Sequence, residues 1–393
     1  MQIGLIGKTN VGKSTFFSAA TALSVQIANH PFTTIKPNVG IAYARVNCVC
    51  REFGIKDNPI HSICINGNRF VPIKLIDVAG LVPGAHQGRG LGNKFLDDAR
   101  QADGLIHVVD ASGSTDSEGR PCPPGTNDPL DDIKFVEEEF DLWLKGIISK
   151  DWHRIAREAE HKGKIESMLA VKLSGLSIKE DAISIVLNKF KQKKPVEWDD
   201  NDILAFAKEL RRIAKPIIIA ANKADIKQAE DNIKRIQEKY QAVPCSAEAE
   251  LLLKLAAKKG IIDYIPGDPS FTIRDNNLTI EQRRALDKVK EFMNRYGSTG
   301  VQEVINKICL DVLKMIVVYP VEDPEKLSDK KGNVLPDAHL MPEGSTAKDL
   351  AYAIHTDLGD HFIYALDVRS KQRLGADYKL KHNDVIQIVS AKR

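Results

Sequence analysis

The spacing of apolar residues changes character twice along the chain. Up to about residue 111, short apolar runs alternate with stretches of helical period. Met1 to Ile6, Val39 to Val46, Phe70 to Ile76 and Gly104 to Asp110 read as strands, and helices are expected from Lys13 and over Leu91 to Ala102. Nearly continuous apolar strands separated by helices predict a parallel sheet with crossover connections, with ligands at the strand carboxyl ends. Inside this pattern, Ile63 to Ile65 and Arg69 to Val71 flank Asn66-Gly67-Asn68, a hairpin signal. From Ser112 to Lys215 the alternation stops. A loop rich in Gly, Pro and Asp (Ser112 to Asp131) leads into helical spacing at Ile133, Val136, Phe140 and Leu144, and again at Ile203, Phe206, Ala207 and Leu210.

Strand-like runs resume at Pro216 to Ala221 and Gln241 to Cys245. They are followed by a helix ending near Gly260, an irregular linker from Asp263 to Asn277, and helix starts marked by Thr279-x-x-Gln282 and Thr299-x-x-Gln302, both of capping-box form. The last stretch carries strands Ile316 to Val321, one before Pro342, Phe362 to Val368 and Val385 to Ser390. A helix with Ala347, Leu350, Ala351 and Ile354 on one face lies among them. Three parts are expected: residues 1–111 with 216–314 as an α/β domain with two C-terminal packing helices, 112–215 as a helical insertion between its fourth and fifth strands, and 315–393 as a small α+β domain.

The chemistry enters between the first strand and the first helix, where Gly7-Lys8-Thr9-Asn10-Val11-Gly12-Lys13-Ser14 spells G-x-x-x-x-G-K-S. Its glycines let successive backbone N–H groups converge on phosphate oxygens, and the following helix points its positive end at the same anion. Asn10, Val11, Gly12, Lys13, Ser14 and Thr15 are therefore expected to bind nucleotide, with Lys13 bridging the outer phosphates and Ser14 ligating Mg2+. The expected core is a P-loop NTPase, a mostly parallel doubly wound sheet. The run ending at Ile76 delivers Asp77-Val78-Ala79-Gly80, a D-x-x-G whose carboxylate reaches magnesium and whose Gly80 N–H contacts the γ-phosphate. The second run delivers Asn222-Lys223-Ala224-Asp225. Asp225 can accept from the ring N–H and exocyclic amine of guanine, a donor pair that adenine lacks. Lys223 would lie along the base and Asn222 would tie this loop to the phosphate loop. At Ser246-Ala247-Glu248, backbone N–H groups are expected to meet the guanine carbonyl. GTP, with GDP as product, is the expected ligand.

Between the phosphate loop and D-x-x-G, the turn-rich segment 29–40 is the natural first switch. One of Thr33 and Thr34 should close over the γ-phosphate and ligate magnesium. Leu81 stands where Ras-like enzymes carry the water-orienting Gln. An apolar side chain cannot hold water, so catalytic help must come from His86, Gln87 or Arg89 in the glycine-rich segment 82–92, or from a partner. Asn10 raises a further expectation, a potassium ion bridging the phosphates in place of an arginine finger; otherwise Asn10 only caps its loop.

The runs NHPFTTIKPNVG (29–40) and DVAGLVPGAHQGRGLGNKFLDDAR (77–100) resemble the Obg family of GTPases and, within it, the YchF-like branch. The resemblance favours Thr34 as the magnesium ligand. Members of that branch carry Glu where this chain has Asp225 and favour ATP, so the chain looks like a GTP-specific relative, with an ATPase of the YchF type as the alternative. LMPEGSTAKDLAYAIH (340–355) and HNDVIQIVSA (382–391) resemble TGS modules, ubiquitin-like β-grasp domains found in translation-linked proteins.

Bulk composition adds little except by exclusion. The chain has 393 residues, 43% hydrophobic and 28% charged, with a formal net charge of +3. It has no apolar run long enough to span a bilayer, so no membrane partner and a cytoplasmic location are expected. With near-neutral charge, nucleic-acid binding must come from local patches. Residues 145–194 hold 12 basic and 6 acidic residues, and residues 369–393 hold 7 and 2. The first patch suits RNA phosphates, and the likeness of the tail to TGS modules implies an RNA or ribosome contact, with no DNA partner expected; the rival is a switch acting on a protein effector. The six cysteines lack paired spacing and are expected as reduced thiols. Cys48, Cys50, His61 and Cys64 fall near the predicted hairpin, but their spacing matches no standard zinc pattern, and whether Cys48, Cys50 and Cys64 bind metal stays open.

Overall fold

A computed structural model of the chain describes residues 1–22, 38–78, 100–275 and 277–391. The fold is a mixed α/β GTPase domain with a C-terminal TGS domain. Strands β1 (Gln2–Ile6), β2 (Val39–Asn47), β3 (Ile63–Ile65), β4 (Asn68–Asp77), β5 (Gly104–Asp110), β6 (Ile217–Asn222) and β7 (Ala242–Pro244) build the first sheet. The chain divides into two compact units, one holding the described residues of 1–22, 37–40 and 74–304, the other those of 41–73 and 305–393. The division follows packing rather than chain order, since 41–73, expected within the α/β domain, groups with the C-terminal residues.

In the first unit the C-terminal end of β4 and strands β1, β5, β6 and β7 lie side by side in the order β4-β1-β5-β6-β7, all parallel. The register pairs Leu5 with Asp77 and Asp110 with Asn222, so chemically important residues emerge together at the strand carboxyl ends. Every residue of β5 is buried, as a central strand covered on both faces must be. Between β5 and β6 the chain makes the helices Pro129–Ser149, Trp152–Lys162, Ile165–Leu173, Glu180–Leu187 and Asp200–Ala214. Their own core is built around Trp152, stacked on Trp198 at 4.8 Å, with Phe206 beside both. Helix Asp200–Ala214 starts at a capping box formed by Asp199 and Asp202. The linker expected to be irregular contains a short antiparallel pair, β8 (Ile262–Asp263) and β9 (Thr272–Ile273).

Of the two expected capping boxes, Thr279 with Gln282 forms and opens helix Ile280–Tyr296. At the second, helix Val301–Asn306 follows, and the buried Thr299 hydroxyl donates to Glu250.

In the second unit, β2 and β3 both pair with β4, and β3 meets β4 through a turn with Asn66 and Gly67 at φ 49° and 71°, as a tight hairpin requires. Strands β10 (Met315–Val321), β11 (His339–Pro342), β12 (Phe362–Asp367), β13 (Arg373–Leu374) and β14 (Val385–Ser390) form a sheet in the order β11-β10-β14-β12-β13, with helix Ala347–Ile354. Val46, Cys48, Val49, Cys50 and Val71 share one apolar core with Val317, Tyr319, Leu335 and Val385, which explains why 41–73 groups with the C-terminal residues.

Candidate nucleotide-binding site

The phosphate loop leaves β1 and turns into helix Lys13–Thr21 through residues that need unusual backbone. Gly7 has φ 147° and approaches so closely that a Cβ there would meet the Val108 carbonyl oxygen at 2.4 Å. Gly12 has φ 91°, and a Cβ there would meet the Asn222 amide nitrogen at 2.3 Å. Asn10 adopts φ 63°, which Asn tolerates better than most side chains. Lys13 Nζ lies 2.5 Å from Asp77 Oδ1 and 2.5 Å from the Val78 carbonyl oxygen. The phosphate-loop lysine and the aspartate of D-x-x-G therefore share one place, and Ser14 and Thr15 stand on the first turn of the adjoining helix.

Asn222 sits at the centre of the base side. Its Nδ2 donates to the Val11 carbonyl at 3.0 Å, and its Oδ1 accepts from the Ala247 N–H at 3.0 Å. One buried side chain thus ties the phosphate loop, its own loop and the Ser246 loop together. The Ser246 N–H donates to the Thr299 carbonyl, and the Ser246 hydroxyl caps helix Ala247–Lys258 by accepting from the Ala249 N–H. The N–H groups of Ser246 and Ala247, expected to meet a guanine carbonyl, are thus directed at protein acceptors. Asp225 is exposed and, with Ser246 and Glu248, lines an open groove of about 220 Å³ against Lys288 and Phe292.

Lys223, expected to lie along the base, pairs with a carboxylate. Its ammonium lies 2.8 Å from Asp110 Oδ2, at the carboxyl end of β5. Asp110 also accepts from the hydroxyls of Ser112 at 2.6 Å, Ser114 at 2.8 Å and Thr115 at 2.5 Å. Burial works to raise its pKa, but these donors with Lys223 outweigh burial and hold the carboxyl below the usual carboxylate range. Sequence inspection overlooked Asp110. Its one signal was a carboxylate ending a strand that is apolar but for His107.

The start of the helical insertion also reaches the phosphate loop. Asn10 Nδ2 donates to the Gly119 carbonyl at 2.8 Å. Lys8, buried, donates to the Asp116 carbonyl at 2.6 Å and pairs with Asp132 at 2.7 Å. His107, fully enclosed in β5, is driven by burial and then by Lys8 to a pKa of about 3, so it is neutral at ordinary pH.

Thr33, Thr34, Gly80, Leu81, His86, Gln87, Arg89 and most of the expected helix Leu91 to Ala102 lie outside the described residues. The basic patches look different in three dimensions. Lys145 and Lys189 pair with Asp200 and Glu209, each at 2.7 Å, while Lys172 pairs with Asp151 and Lys193 with Asp202. Lys150, Arg157, Lys164, Lys179, Lys191 and Lys194 are exposed. Arg369 makes a two-pronged pair with Glu52 at 2.6 and 2.7 Å.

Three family models cover most of the chain: a 50S ribosome-binding GTPase over residues 2–138, an Obg-like GTPase YGR210-like G4 motif-containing domain over 220–323, and a TGS domain over 331–390. A GTP-binding protein of Methanocaldococcus jannaschii is 55% identical over 395 residues, spanning 100% of this chain and 99% of that one. The chain belongs to the Obg-like GTPases of the YchF branch. It is a GTP-binding member of a family of P-loop nucleotide hydrolases. The ribosome-binding ATPase YchF of Bacillus subtilis is 30% identical over 277 residues, 67% of this chain and 68% of that one. Among solved structures, a GTP-binding protein from Pyrococcus horikoshii matches with a TM-score of 0.79 at 43% identity, covering 100% of both chains. Among the described residues no helix is long and apolar enough to cross a membrane.

Proposed function

We propose that this Obg-like protein is a magnesium-dependent GTPase that selects guanine through Asp225, hydrolyses GTP to GDP and phosphate slowly, and works with the ribosome or RNA in the cytoplasm. The observation that carries the base assignment is the bridge made by Asn222, which holds the loop bearing Asp225 in register with the phosphate loop. With that register, a nucleotide on the phosphate loop presents its base to Asp225, and the carboxylate accepts from the two guanine donors. Lys13 moves from Asp77 to the outer phosphates, and Glu248 borders the base.

The donors suit magnesium. The Ser14 hydroxyl and the Asp77 carboxylate, with the hydroxyl of Thr34, are all hard oxygen ligands. When bound, the ion neutralises charge developing on the β- and γ-phosphates. The Gly80 N–H supports the γ-phosphate. With Leu81 in the usual Gln position, His86 is the candidate to orient water. Asn10 uses its Nδ2 on Gly119, which leaves Oδ1 as the atom for a potassium ion; equal turnover in sodium and potassium would refute that part.

Competition binding tests the base assignment. The native chain should prefer GTP over ATP by roughly tenfold to a hundredfold, the cost of leaving the Asp225 carboxylate unmatched, and Asp225→Glu should shift the preference toward ATP. Stronger ATP binding by the native chain overturns the proposal in favour of an ATPase like its relatives named YchF. The ribosomal partner rests on the relatives named as ribosome-binding and on exposed cations such as Lys150, Lys164 and Lys191. The four lysines already paired with carboxylates favour the second reading, a switch acting on a protein effector. GTP-dependent cosedimentation with ribosomes, lost when Lys150, Lys164 and Lys191 are neutralised, separates the two.

A further inference from the structure

The hairpin unit contains a cluster that nucleotide chemistry does not use. Cys48 lies just past β2, Cys50 opens the short helix Cys50–Phe53, Cys64 lies in β3 and Asp57 in the intervening loop. One ligand-type atom from each of these four residues lies within 4.8 Å of all the others. Cys50 Sγ and Cys64 Sγ are 3.9 Å apart, and Cys48 Sγ is 3.2 Å from Asp57 Oδ2. A tetrahedral zinc with Zn–S near 2.3 Å and Zn–O near 2.1 Å implies S···S edges of about 3.8 Å and S···O edges of about 3.6 Å. We propose that Cys48, Cys50, Cys64 and Asp57 form a closed, structural zinc site.

The surroundings point the same way. Arg69, wholly buried, donates to Asp57 Oδ2 at 2.8 Å, to Ser62 at 2.7 Å and to the Leu335 carbonyl at 3.1 Å, but its Nε is buried without a partner. Tyr319, also wholly buried, has a hydroxyl without a hydrogen-bond partner, and its electrostatic neighbours are Cys48, Arg69 and Cys64. Metal-bound thiolates recruit outer donors of this kind, and two unused ones belong to residues beside these cysteines. Three thiolates and one carboxylate around a divalent ion carry a net charge of −2, and Arg69 reduces it to −1. Spacings under 4.8 Å fit one ion and are too short for an iron–sulfur cluster, whose ligands spread around several metals. Three sulfurs exclude magnesium and calcium. All four positions come from the protein, so no site remains for water and the role is structural.

His61, the fourth candidate from the sequence, lies elsewhere: its Nδ1 is 2.5 Å from Asp337 Oδ1. Asp57 replaces it. Binding releases the thiol protons to solvent as the Zn–S bonds form, and the ion closes the loop from 48 to 64 around the base of the hairpin.

Metal analysis of the full chain tests the proposal. The purified protein should carry one equivalent of zinc, and after chelation it should take up one equivalent of Zn2+ with a rise in Tm. Co2+ in its place should give thiolate-to-cobalt charge-transfer absorption. Cys64→Ser should weaken Zn2+ binding at least a hundredfold, Asp57→Asn less, and Cys122→Ser not at all. If Cys64→Ser fails to fold, cobalt absorption and zinc stoichiometry of the native chain decide. A native, chelated protein that binds less than a tenth of an equivalent of Zn2+, or whose thiols react equally fast with and without it, overturns the site in favour of a metal-free thiol cluster.

Discussion

Asp110 and Arg69 are both buried charges at the root of their units, yet their surroundings differ in kind. Asp110 receives Lys223 and three hydroxyls on its two oxygens. Around Arg69 the accounting stays open, with its Nε and the Tyr319 hydroxyl both lacking partners beside three thiols. A saturated centre fixes geometry and asks for nothing more. An unsaturated one in an otherwise tight core is where a further ligand belongs, because each unmet buried polar group costs about 1–3 kcal/mol.

The largest expected effect comes from emptying the saturated centre. Asp110→Ala strands the Lys223 ammonium and three hydroxyls, and unfolding in urea should show a loss of about 3–5 kcal/mol. A loss under about 1 kcal/mol would mean that water replaces the carboxylate and the centre is not closed. Next, Arg69→Met should cost about 3 kcal/mol in chelator and clearly less with zinc, since the ion then balances Asp57; an equal cost in both would erase the contrast.

Acid titration separates two groups in the first unit. His107 is held neutral by a depressed pKa, so the unfolded chain binds the extra proton and stability falls as pH drops from about 6.5 toward 3, by up to about 1.4 kcal/mol per unit. His107→Gln should flatten that range. Asp110 is depressed from a carboxylate's ordinary value, so its contribution is present above about pH 4 and is lost as pH falls through the lower folded value. Asp110→Asn should flatten only this lower range. The smallest effect belongs to the surface: Lys189→Ala, which breaks the exposed pair with Glu209, should change stability by about 0.5 kcal/mol or less.

Local signals carried most of the fold. The Asn66-Gly67 hairpin, the Thr279 capping box and the mostly apolar β5 each state their structure within a few residues, and β5 begins and ends where its pattern does. The site was legible where chain order and strand ends suffice, as for Asn222 reaching Val11. It was not legible where distant partners decide. The hydroxyl of Thr299 could not be known to serve Glu250, nor the N–H of Ala247 to serve Asn222. Counting charge between 145 and 194 missed Asp200, Asp202 and Glu209, which lie beyond that window and take up Lys145, Lys193 and Lys189. The cysteines suggested metal, but only folding exchanges His61 for Asp57.

The loop that opens the helical insertion grips Asn10 through Gly119 and Lys8 through Asp116, and the helix after it adds Asp132 to Lys8. Its footing is therefore the cradle of the phosphates itself. A partner whose binding shifts this loop alters the hold on nucleotide, and thermodynamic reciprocity requires nucleotide to alter the hold on that partner by the same factor. The insertion would then act as a lever with its fulcrum at the phosphate loop, able to report the nucleotide state without a residue of its own in the reaction.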